Sequence, residues 1–150
     1  MRRLPLLLLL ALPLAMSCEQ PTAANALQSR LDAARAVWTK QKITSYSFVL
    51  STECYCLDEV AGPNRVTVTN GVVTAVTRVT DGATINVRAG RTIDQLFDFI
   101  ASTLDGPFGR LTVQFDIARG YPSSIDADPV KNATDDEVRY YSSALVVTPP

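Results

Sequence analysis

The segment RVTVT-NG-VVTAVTRV, residues 65–79, constrains the fold more than any other stretch of this chain. Asn-Gly between two β-branched runs is the strongest short hairpin signal, because both turn positions need a positive φ. Asn70-Gly71 therefore predicts a two-residue turn that sets Val68 opposite Val73 and Val66 opposite Ala75 on one face. A chain built around such a hairpin must bury that face against something, and the flanking segments say what.

Residues 45–56, SYSFVLSTECYC, alternate with a period of two. Tyr46, Phe48, Leu50, Thr52, Cys54 and Cys56 share one face, with Ser45, Ser47, Ser51 and Glu53 opposite, the pattern of a half-buried strand. Asn25 followed by Gln28 reads as a capping box, and Leu27, Leu31, Ala34, Val37 and Trp38 then recur at helical spacing, so a helix is expected over about 26–41. Thr92 and Gln95 form a second capping box ahead of the stripe Ile93, Leu96, Phe97, Ile100 and Leu104, which Asp105-Gly106-Pro107 ends. RLTVQFDIA is a further strand with Leu111, Val113, Phe115 and Ile117 inward. Gly120-Tyr121-Pro122 turns the chain into a short strand carrying Ile125, and a last strand is expected over about 137–147. Asp81-Gly82 marks another turn, after which Thr84–Arg88 reads as a short additional strand. The order is α-β-β-β-α-β-β-β: an α+β fold with a mainly antiparallel sheet of about six strands and both helices packed on one face.

Ahead of this domain stands MRRLPLLLLLALPLAMSC, residues 1–18. Arg2 and Arg3 form a positive start, and Leu4–Leu14 is apolar but too short to span a bilayer, which takes about 20 apolar residues. The segment reads as a secretory signal peptide, residues 1–17. Ala15-Met16-Ser17-Cys18 resembles the lipobox of bacterial lipoproteins, in which the cysteine is lipidated and the leader is cut before it. The departure is Ala15, where that class prefers Leu. Ordinary cleavage at the small-x-small pair Ala15 and Ser17 is the alternative, but it would leave an odd cysteine in an oxidising compartment. Residues 18–24 then form the lipidated Cys18 and a short tether with Pro21, reaching about 20 Å at about 3.4 Å per residue, and 25–150 the single domain. By resemblance to lipoprotein sorting, Glu19 in place of Asp favours the outer membrane. The expected address is the bacterial cell envelope, facing the periplasm.

Composition narrows the chemistry. The chain has 14 basic and 15 acidic residues and no histidine. Losing Arg2 and Arg3 with the leader leaves 12 against 15, a net of −3. A mildly acidic surface argues against a nucleic-acid partner. The missing histidine removes the commonest general base and the commonest zinc ligand.

Once Cys18 carries the anchor, Cys54 and Cys56 are left as a pair, expected to form a disulfide in an oxidising compartment. Two positions apart on a regular strand they stand about 6.6 Å apart at Cα, so pairing requires a bend or bulge. Glu53, Asp58 and Glu59 nearby disfavour a thiolate, which sets a structural role above thiol–disulfide exchange. Asp126, Asp128, Asp135, Asp136 and Glu137 are acidic enough to raise calcium, but they lack the EF-hand spacing and are interrupted by Lys131. No metal, cofactor or catalytic residue is expected.

Trp38, Tyr46-x-Phe48, Cys54-x-Cys56, the Asn70-Gly71 hairpin, Thr92-Ile93-x-x-Leu96-Phe97, Phe115-Asp116, Gly120-Tyr121-Pro122, Ile125 and Asp128 occur in this order. The set resembles the bacterial family known as domain of unknown function 6174, found in lipoproteins, over about residues 30–147. The resemblance implies the domain boundary and export, and supplies no activity. Tyr121 is the candidate partner contact, and its alternative is a packed turn aromatic. The expected function is a lipid-anchored, non-enzymatic binding or structural module of the envelope, with an envelope protein as partner. Its alternative is a thiol–disulfide redox protein acting through Cys54 and Cys56.

Overall fold

The computed structural model describes residues 22–148. The expected signal peptide and the expected lipidation site Cys18 lie outside the described residues. Helix α1 spans Ala23–Lys40, followed by β1 (Tyr46–Cys54), β2 (Gly62–Thr69), β3 (Val72–Arg78) and β4 (Thr84–Ile85). A 3-10 turn at Val87–Ala89 leads into α2 (Ile93–Leu104), then β5 (Arg110–Phe115), β6 (Pro122–Asp128) and β7 (Val138–Val147). The strands form one antiparallel sheet of seven in the order β4-β3-β2-β1-β7-β6-β5. The expected α+β order holds, with the two-residue β4 as the seventh strand.

The hairpin turn has the expected geometry: Asn70 and Gly71 take φ of 51° and 79°. Val68 stands opposite Val73, but Val66 pairs with Val76 rather than Ala75. A bulge at Thr74 slips β3 by one residue. Its consequence is apolar burial: the slip turns the larger Val76, fully buried, toward the core where an unbroken register would have turned Ala75.

Helix α1 begins three residues before the expected start. Its N-cap is Thr22, whose hydroxyl accepts from the Asn25 N–H (3.3 Å), so Asn25 lies inside the first turn and Ala23 and Ala24 belong to the helix rather than to a tether. Gln28 donates to Asp32 at 2.8 Å instead of completing a capping box. Leu27, Leu31 and Trp38 are buried, while Val37 sits half-exposed at the margin of the stripe, over Gly120. Helix α2 keeps its Thr92–Gln95 capping box and buries Ile93, Leu96, Phe97 and Ile100.

Both helices pack on the face carrying Tyr46, Phe48 and Leu50. Trp38 of α1 meets the Tyr46 ring edge-on, centroids 5.5 Å apart. β5 ends at Phe115, two residues short of Ile117. The Asp116 carboxylate accepts from the N–H groups of Ala118 (3.1 Å) and Arg119 (2.7 Å), an Asx turn that leaves Ile117 in the loop and fully exposed, not inward.

Candidate functional site

β1 leaves the sheet at Cys54, and the bend that follows brings the Cα of Cys56 to 5.2 Å from that of Cys54. The two sulfurs are thereby within bonding reach. The chain makes the bend that a regular strand would have prevented, so Cys56 lies beyond the strand rather than on its inner face. Between and after the cysteines Tyr55 and Leu57 project into solvent, 86 % and 71 % exposed.

Behind this loop runs a row of charges on the helix-free face, one from each of four neighbouring strands. Register pairs Glu53 of β1 with Arg139 of β7, and Arg139 with Asp126 of β6. Arg139 reaches both, Nη1 to Glu53 Oε2 at 3.5 Å and Nε to Asp126 Oδ2 at 3.2 Å. The other oxygen of Asp126 takes Arg110 Nη2 of β5 at 2.9 Å. Glu53, Tyr55, Arg110, Glu137 and Arg139 line an open cleft of about 460 Å³ against Cys54.

This electrostatic arrangement is specific in its effect. Burial works to raise the Asp126 pKa, but hydrogen bonds from Arg110 and Arg139 outweigh it and hold the carboxyl below its ordinary range. The hydrogen bond that Arg139 donates to Asp126, with the one it donates to Glu53, pushes the guanidinium pKa up. Asp126 stays ionised at neutral pH and is a poor general acid or base there. Such a ladder supports the register of the strands it crosses.

Of the other acidic residues, Asp135 and Glu137 line this same cleft. Asp136 Oδ2 accepts from the Val130 N–H (2.9 Å) and closes its own loop. Among the described residues no three His, Cys, Asp or Glu side chains could share a metal ion. Tyr121 is a correction: at 9 % exposure it packs edge-on against Trp38, centroids 6.4 Å apart, and offers its ring to the core rather than to a partner. Sequence reasoning missed the ladder and the exposed Tyr55. In β7 the adjacent aromatics Tyr140 and Tyr141 hide which residues face in; the structure turns Tyr140 inward and Arg139 and Tyr141 outward.

No helix among the described residues is long and apolar enough to cross a membrane. No curated protein and no solved structure matches the chain. A family model does match, over residues 30–147, covering α1 from its second turn onward, all of α2, all seven strands and the Cys54-x-Cys56 bend. The chain belongs to the family of unknown function DUF6174.

Proposed function

We propose that this protein is an exported domain of the bacterial cell envelope, lipid-anchored through Cys18, that binds an envelope partner and carries out no chemistry of its own. The observation that carries the binding reading is the uncovered face of the sheet. Both helices lie on the other side, and the open side presents Ser47, Val49, Ser51, Ser143 and two exposed apolar side chains, Tyr141 (40 %) and Val146 (58 %), beside the charge ladder. An antiparallel sheet tolerates one solvated face, and this one combines small residues, an aromatic and fixed charges in the manner of a contact surface.

The envelope address rests on the leader and on Cys18. Palmitate supplied to growing cells should label the protein, and a Cys18→Ser variant should lose the label; undiminished labelling of the variant sinks the anchor. For the face, a photoreactive side chain at Ser143 should give a discrete adduct in envelope preparations, whereas one at Asp32 on the helix side should not. Equal adducts from both positions would count against the sheet face.

A second reading, thiol–disulfide exchange, has one observation in its favour: Cys56 is exposed. Against it stand Glu53, Asp58 and Glu59, and an Arg139 whose charge is committed to Glu53 and Asp126. Counting free thiols before and after mild reductant separates the two, since an exchange protein cycles its pair and a structural pair resists.

A further inference from the structure

We infer that the loop between β1 and β2 is a membrane-contacting tip that seats Tyr55 and Leu57 in the interfacial region of a zwitterionic phospholipid surface. The inference rests on the lipid anchor proposed at Cys18.

The argument begins with the register. Cys54 pairs with Val138, Val138 with Ala127, and Ala127 with Leu111, one straight row across β1, β7, β6 and β5. Leu111 in turn borders a surface groove with Ala23, Ala26 and Leu27, the first turns of α1. The tip and the start of the helix therefore stand at the same end of the molecule, three strand spacings apart, or about 15 Å. Three residues separate Cys18 from Thr22, a span of at most about 14 Å at about 3.4 Å per residue. An anchor on so short a lead brings this end of the sheet down to the bilayer, and the tip with it.

The tip is built to be presented. The Cys54–Cys56 bend fixes its root. The Leu57 carbonyl accepts from the N–H groups of Val60 (2.8 Å) and Ala61 (3.2 Å), and Asn64 Nδ2 ties the Glu59 carbonyl to β2 at 3.2 Å. These bonds hold the loop in shape and satisfy the Leu57 and Glu59 carbonyls, which lowers the cost of setting the outward-facing Leu57 against an apolar surface. Tyr and Leu are a fitting pair for the interface, an apolar body with a hydroxyl that stays wet beside a purely apolar neighbour.

Charge selects the surface. Asp58 and Glu59 follow the tip directly, Glu53 and Glu137 stand behind it, and the cations beside them, Arg110 and Arg139, are committed to Asp126 and Glu53. Anionic headgroups are repelled, whereas zwitterionic ones carry no net penalty. In this pose the helix-free face stands upright from the membrane, open sideways to a partner.

The test places Leu57→Trp in the full chain, isolated from membranes and reconstituted in phosphatidylcholine vesicles with or without brominated acyl chains. Trp38 is buried in the core at 3 % exposure and serves as the internal reference for the fold. The expected result is a blue-shifted emission from the introduced indole that bromine quenches, with quenching reduced as phosphatidylglycerol replaces phosphatidylcholine at low salt. Emission that stays at its solvent position and escapes quenching overturns the tip and leaves it as a protein contact. Quenching that rises with phosphatidylglycerol overturns the zwitterionic preference. Palmitate labelling of the same preparation reports the anchor separately. Labelled but unquenched protein sinks the tip alone. Unlabelled protein that is still quenched on adding vesicles sinks the anchor and keeps the tip, and neither signal sinks both.

Discussion

The phenol oxygen of Tyr46, in β1, accepts the backbone N–H of Ile93 at 2.9 Å, so the first residue of the first strand satisfies the first residue of α2. The first N–H groups of a helix have no partner within it, and Thr92 and Gln95 satisfy others through their capping box. The bond joins two elements 47 positions apart at the floor of the core, where Trp38 also meets Tyr46.

Tyr46→Phe keeps the ring but leaves the Ile93 N–H buried and unpaired, so it should cost about 1–3 kcal/mol in urea unfolding. Burial, with the Asp94 charge adding, pushes the Tyr46 hydroxyl from 10.0 up to about 12, against a lowering by the Ile93 hydrogen bond. The raised value means that the folded state prefers the protonated phenol. Its contribution is whole below pH 10.0 and is lost as pH climbs toward 12. Wild-type stability should therefore fall over that window, and the Phe variant should lose this part of the alkaline dependence.

Gly120→Ala should be among the most damaging single methyl additions. Gly120 has φ +80°, and a Cβ there would stand 2.4 Å from the Ala34 carbonyl oxygen of α1. The left-handed backbone alone costs about 1–2 kcal/mol for a side chain, and a clash with helix backbone cannot be relieved by rotating a side chain. Gly82→Ala, at φ +72° with open space around it, isolates the backbone part. The difference between their urea midpoints measures the close packing of the β5–β6 turn under α1; equal losses would refute it.

Asp126→Asn should be mild at neutral pH, below about 1 kcal/mol, because the ladder is largely solvated. Its effect should appear in the pH profile. A carboxyl held below its ordinary 3.8 contributes stability above that value and loses it as pH falls further, through its folded-state value. Urea midpoints followed into that acid range should drop less steeply in the variant than in the wild type.

Replacing both Cys54 and Cys56 with Ser should lower stability by less than about 2 kcal/mol, since a cross-link around a single intervening residue removes little chain entropy. The larger consequence should be local. Proteolysis between residues 54 and 61 should accelerate while the core, reported by Trp38 fluorescence, stays intact.

Much of the architecture was legible along the chain because periodicity and turn chemistry are local. Asn70-Gly71 fixed a turn, Thr92 and Gln95 a helix start, and the alternation from Tyr46 to Thr52 a buried face. Local rules failed where the deciding contact was distant. The Thr74 bulge exists because a slip of one residue puts Val76 into the core under β2. Tyr121 is buried because Trp38, far away in sequence, comes to meet it.

The candidate site divides the same way. Sequence alone determined that Cys54 and Cys56 would be near enough to pair if the strand bent, that histidine chemistry was absent, and that the acidic residues lacked a metal-binding spacing. Tertiary structure decided that Glu53, Arg139 and Asp126 stand side by side with Arg110 reaching in diagonally from opposite Asp128, because only strand register brings four separate segments together. It also decided that Tyr55 and the first turn of α1 share an end of the sheet, since the direction of each strand and helix is set by how the whole chain packs and not by any one segment.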